Sequence, residues 1–164
     1  MKKKSFVIIF LIPLFLIITA CNPTYTPLLR IIPMTQLSFE NIKWNVRKIA
    51  NYRIEVLVRG STWHAQYYLL TVNNNVVVDS TSRCIVAPAE NGKCQVNPYN
   101  ADDYKVSGIF EKATSEIESD DINWLTIGYD PTYGFPKYIS FFDPSVMDSD
   151  WLWAVTSFEE LKKS

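Results

Sequence analysis

The residues with the most distinctive chemistry are three cysteines, Cys21, Cys84 and Cys94. Cys21 closes the run Ile18-Thr19-Ala20-Cys21, which has the form of a lipobox: a branched apolar residue, two small ones, then a cysteine. In such a run the thiol takes a diacylglyceryl group, and the small residues let a peptidase reach the bond in front of Cys21. Lipidation of Cys21 is therefore expected. Cys84 and Cys94 remain as a pair, and their connecting loop contains Pro88 and Asn91-Gly92, residues that let a chain turn back on itself. In an oxidising compartment this predicts a local disulfide. The alternative is a redox or metal pair, but there is no Cys-x-x-Cys, and the single histidine, His64, is far away in sequence.

Other searches for chemistry give solvated or structural readings. His64 sits between Trp63 and Ala65 in a strand-like run, with no Ser or Cys nucleophile pattern around it, and is expected to face solvent. Asp143, Asp148 and Asp150 lack the glycine and terminal glutamate of a helix-loop-helix calcium loop. Asp120-Asp121 and Glu159-Glu160 are likewise expected to be solvated. With five glycines in 164 residues there is little room for a phosphate-cradling loop. No metal, cofactor or catalytic residue is predicted, although carboxylate pairs assembled in space stay open.

The N-terminus directs where this chemistry happens. Lys2, Lys3 and Lys4 precede an apolar stretch from Phe6 to Ile18. That length suits a signal-peptide core and falls short of the ~20 residues of a spanning helix. Residues 1–20 are thus read as a lipoprotein signal peptide and 21–36 as a lipidated tether. Pro23, Pro27 and Pro33 argue against regular structure in the tether, although Leu28, Leu29, Ile31 and Ile32 are unusually apolar for a free linker. Asn22, in place of an aspartate, favours the outer membrane facing the periplasm, or the outer face of the cytoplasmic membrane in a single-membrane host. With Lys2, Lys3 and Lys4 set aside, the 17 acidic side chains exceed the basic ones by four, which argues against nucleic acid as a partner.

Residues 37–160 are expected to form one α+β domain. Ser38 is a candidate N-cap with Leu37 as a staple, and Phe39, Ile42, Val46 and Ile49 recur at helical spacing, predicting a helix over 39–50 with that face inward. Tyr52 to Arg59 alternates, with Tyr52, Ile54, Val56 and Val58 on one side. Trp63 to Val72 and Val76 to Val78 follow as further strands around an asparagine turn at 73–75. A second helix is predicted from about Tyr104 on the spacing of Val106, Ile109, Phe110, Ala113 and Ile117. Ile122–Tyr129, Pro136–Phe142 and Trp151–Phe158 read as three more strands. The order helix, three strands, helix, three strands implies an antiparallel sheet of about six strands with both helices on one face.

Tyr129-Asp130, a turn, Gly134-Phe135-Pro136, then Ile139 and Asp143 resemble the hallmark of the domain of unknown function 6174, a family of small exported bacterial domains often found on lipoproteins. Trp44 followed by Asn51-Tyr52, and Val106-Ser107-Gly108-Ile109-Phe110, are weaker echoes, so the likeness runs from about Trp44 to Phe158. Asp148-Ser149-Asp150 departs from the family's acidic cluster by lacking a glutamate. The resemblance implies an exported module and imports no activity. The same motif has a structural reading: Asp130-Pro131 starts a turn, Gly134 supplies a positive φ, and the aromatics clamp a hairpin. A sharper alternative makes Tyr133, Tyr138, Trp151 and Trp153 an exposed aromatic shelf for a protein or glycan, although Trp151 and Trp153 share a strand face and, on a sheet covered by helices on one side, are expected in the core.

Two functions from different classes follow. One is a noncatalytic envelope binding or adaptor module, held at the membrane by lipid. The other is a small periplasmic hydrolase or enzyme inhibitor.

Overall fold

The computed structural model describes residues 26–61, 64–85, 94, 96–119 and 122–162. The lipobox with Cys21, the first tether residues, Trp63, Pro88, Asn91-Gly92 and Asp120-Asp121 lie outside the described residues. Helix α1 (Thr26–Arg47) leads into β1 (Tyr52–Ser61), β2 (His64–Asn73) and β3 (Val76–Cys84); α2 (Val106–Glu118) then precedes β4 (Leu125–Tyr129), β5 (Pro136–Phe141) and β6 (Trp151–Glu160). The six strands form one antiparallel sheet in the order β3-β2-β1-β6-β5-β4. The expected architecture, an α+β domain with helix, three strands, helix, three strands, is what the chain adopts.

Alternation sets which sheet face is covered. Tyr52, Ile54 and Val56 of β1 and Tyr68, Leu70 and Val72 of β2 are buried against the helices, together with Ile139 of β5 and Val155 of β6. The opposite face carries exposed ion pairs, Arg53–Glu159, Arg59–Asp150 and Arg83–Glu55, as a one-sided sheet requires. Asn74 and Asn75 both take positive φ (49° and 64°), the left-handed pair that a two-residue hairpin needs. The β2–β3 hairpin therefore turns where the asparagine run predicted. α2 buries Val106, Ile109, Phe110, Ala113 and Ile117, the five residues whose spacing predicted it.

The N-terminal helix differs from expectation in two ways. It begins at Thr26, so the predicted irregular tether over 21–36 is helical from there on. Pro27 lies in the first turn, where no N–H is required, and Pro33 is tolerated as a single lost bond in a helix whose packing compensates. Ser38 is no cap: its hydroxyl donates to the Met34 carbonyl inside the helix (2.8 Å). The helix ends at Lys48, which takes φ +54° and breaks the spiral before Ile49.

The second difference is the buried face. Leu37 and Trp44 enter the core, with Pro33, Met34, Glu40 and Lys43 partly covered around them, while Phe39, Ile42 and Val46 point outward. Trp44 meets Tyr52, Phe135 and Phe158 edge-on with ring centroids 5.8–5.9 Å apart. Arg30 ties the start of α1 to the end of α2 by donating to the Ser119 carbonyl (3.0 Å), where the helix dipole favours a cation.

Candidate binding surface

The Tyr129–Pro136 motif is a hairpin built to dock α1. The Asp130 carboxylate accepts the backbone N–H groups of Thr132 (2.9 Å) and Tyr133 (2.8 Å). The Asp130 N–H donates to Phe135 O and its carbonyl accepts from Gly134 N, both at 2.9 Å. Gly134 has φ +89°, and a Cβ there would lie 2.8 Å from the Glu40 carbonyl oxygen of α1. Lys43 reaches across to donate to Pro131 O (2.8 Å), and Phe135 is buried beneath Trp44 and Phe158. Burial pushes the Tyr129 hydroxyl up to about 12, with the neighbouring Glu40 charge adding to it. The Asp130 carboxylate and backbone are thus spent on holding the turn. Asp143 does similar work in the β5–β6 loop, accepting Ser145 N (2.8 Å) and Ser145 Oγ (2.6 Å).

The four aromatics considered as a shelf do not form one. Trp153 stacks on Tyr104 (5.0 Å), which itself stacks on Tyr68 (3.8 Å), and the Lys112 ammonium sits over both Trp151 and Trp153. Trp151 and Trp153 share the helix-covered face, half-buried against the core. Tyr133 is also half-buried there, against Phe135 and Phe158. Tyr138 faces the other way and lies over Gly128, the residue paired with it on β4.

Cys84 and Cys94 form a disulfide with their Cα atoms 5.7 Å apart. Sequence distance concealed their neighbour. β2 starts at His64 and pairs antiparallel with β3, with Gln66 opposite Cys84, so the His64 imidazole comes to within 4.8 Å of both sulfurs. Asn97 lies 3.5 Å from His64 Nε2. With both sulfurs committed to each other, the cluster offers one imidazole and no thiolate.

Two of the hollows among the described residues carry little ionisable chemistry. An open hollow of about 500 Å³ between the β2–β3 turn and the end of β6 is lined by Asn51, Thr71, Asn73 and Asn74, with Lys162 the ionisable side chain among the described residues there. A smaller one, between the helices, has Glu111 as the ionisable group among its described lining residues, beside Asn41, Trp44 and Phe110. Neither brings together a nucleophile, a base and an oxyanion donor.

What does stand out is convex. Ile31, Ile32, Phe39, Ile42 and Val46 are 54%, 75%, 66%, 61% and 72% exposed, all on the side of α1 turned away from the core. At 100° per residue this ridge is nearly diametrically opposed to the Pro33, Leu37, Glu40, Trp44 face. A row of exposed apolar side chains along one helix face is the kind of surface that marks an interaction site. The first turns of the ridge lie close in sequence to Cys21, the lipidation candidate.

No curated protein and no solved structure matches this chain. A model of a family of unknown function (DUF6174) matches residues 36–160, which takes in the second half of α1, the whole sheet and the Asp130 hairpin. With more than half of its length matched, and with the Tyr129–Pro136 motif forming the hairpin that locks α1 to the sheet, the chain belongs to the family of unknown function DUF6174.

Proposed function

We propose that this chain is an exported envelope lipoprotein, anchored through lipid on Cys21, whose domain is a noncatalytic binding or adaptor module. The observation that carries the binding role is the apolar ridge of α1, which a monomer would leave in water at a cost of about 25 cal/mol for each Å². The anchor is supported by the lipobox and by the short apolar stretch before it. Among the described residues no helix is long and apolar enough to cross a membrane. Two or three acyl chains, at ~0.8 kcal/mol per buried methylene, would hold the domain at the surface. Outer-membrane residence facing the periplasm follows from Asn22 in a double-membrane host.

Two measurements test this. Metabolic labelling with a fatty acid should mark the protein and leave Cys21→Ser unmarked; labelling that survives the substitution refutes the anchor. Crosslinking in intact cells, followed by pull-down through the C-terminus, should yield a reproducible protein partner. Recovery of the bare chain alone counts against the binding role.

A further inference from the structure

We propose that the outward ridge of α1 is a two-stranded coiled-coil seam whose occupant is α1 of a second copy of this chain; this rests on the reading of the domain as a binding module. Ile32, Phe39 and Val46 recur every seven residues, and Thr35 and Ile42 fall between them, giving the alternating steps of three and four that define a and d positions. The spacing extends back in sequence to Leu28. A stripe this narrow suits a facing helix. A membrane-lying helix has a broad apolar face with a basic fringe, whereas Gln36, Ser38 and Asn45, with Lys43 as a single cation, border this ridge.

Self-pairing is favoured by what lies in and beside the seam. Thr35 already donates its hydroxyl to the Ile31 carbonyl (2.7 Å), so covering it strands no donor. In a parallel pair Ser38 would face Lys43, and Ile31 would face Gln36, so no flank opposes like charges. The Lys43 ammonium is itself turned toward Glu40 and Pro131 O of its own domain. Because the ridge points away from the core, each domain would sit on the outside of the helix pair. Facing ridges would withdraw on the order of 1,000 Å² from water, about the minimum for a biological contact and in the range of weak, transient pairs. So modest an area suits a pair whose effective concentration is raised by a shared membrane. Lipid anchors a few residues before α1 would start both helices at one level, hence parallel and in register.

The test uses the full-length lipoprotein in its native membranes, with a photo-crosslinking amino acid substituted at Ile42. The expected adduct has twice the mass of the chain, contains this chain alone, and is lost on adding Phe39→Glu. The same probe at Thr81, on the far face of the sheet, should give no such adduct. The Phe39→Glu chain should keep its urea midpoint, which separates loss of pairing from loss of fold. An adduct between Ile42 and a different protein overturns the second copy and leaves the binding module standing. Probes at both Ile42 and Phe39 that capture only lipid, or nothing, overturn both.

Discussion

Two glycines with opposite surroundings show how much a single residue can decide. A Cβ on Gly60 would meet nothing within 4 Å, whereas one on Gly134 would press the Glu40 carbonyl from a left-handed backbone. Gly134→Ala should therefore cost about 1–3 kcal/mol in urea unfolding, while Gly60→Ala stays within about 0.5 kcal/mol of the parent. Tyr52 makes a second residue-scale prediction. Its hydroxyl oxygen accepts the buried Val106 N–H at the start of α2 (3.1 Å), and burial raises its pKa from 10.0 to about 12, the hydrogen bond offsetting part of that rise. A proton held more tightly in the folded state stabilises it fully below pH 10 and is lost as pH rises through about 12. Stability should thus fall across that window by an amount on the order of 2 kcal/mol. Tyr52→Phe should be less stable at neutral pH by about 1–3 kcal/mol, because Val106 N–H loses its acceptor, and should show a shallower alkaline decline. An unchanged alkaline slope in the variant would assign the decline to other groups, of which Tyr104, also raised by burial, is the first to examine.

The helix α1 shows why an element can be recognised and still be oriented wrongly. Two apolar stripes wind along it, Pro33-Leu37-Trp44 and Ile32-Phe39-Ile42-Val46, and each has helical spacing. Periodicity identifies a helix without saying which stripe faces the sheet. Trp44 settles that, because Tyr52, Phe135 and Phe158 arrive from three different strands or loops to surround its ring. Substitution should separate the two stripes: Trp44→Ala costs about 3–5 kcal/mol, while Phe39→Ala in the isolated monomer changes stability by less than about 0.5 kcal/mol. Equal losses from both would mean that α1 packs on the sheet through the ridge. The β2–β3 end is held by the Cys84–Cys94 bridge. Its reduction should lower stability by about 2–3 kcal/mol, and alkylation after reduction should add two labels that are absent without it.

At the scale of the molecule, β1 and β6 join the two halves of the chain at the centre of one sheet, and the helices close a single face. Much of this was legible in the sequence because it depends on local periodicity. The alternation of Tyr52, Ile54 and Val56, the 3.6-residue spacing of α2, and the asparagine turn each identify an element from a few neighbouring residues. The hairpin Asp130–Phe135 was legible for the same reason: its Asp and Gly act on atoms within a few residues.

Contacts between elements were not legible, since they depend on register and on competition between faces. His64 beside the disulfide follows from the pairing of Gln66 with Cys84, a fact of the β2–β3 register. That Trp151 and Trp153 share a face was legible from their spacing, but the bulge between Glu55 and Val56 that sets the β1–β6 register there, and the Tyr104 and Lys112 side chains that meet them, were not. By itself the sequence determined the order of the elements, because local spacing and turn chemistry carry it, and the Tyr129–Pro136 motif carried the likeness to the family. Only the tertiary structure decided that α1 begins at Thr26, that Trp44 faces in, and that Phe39, Ile42 and Val46 remain outside. The physical reason is that burial belongs to whichever side chains find partners across the sheet, and those partners lie far along the chain.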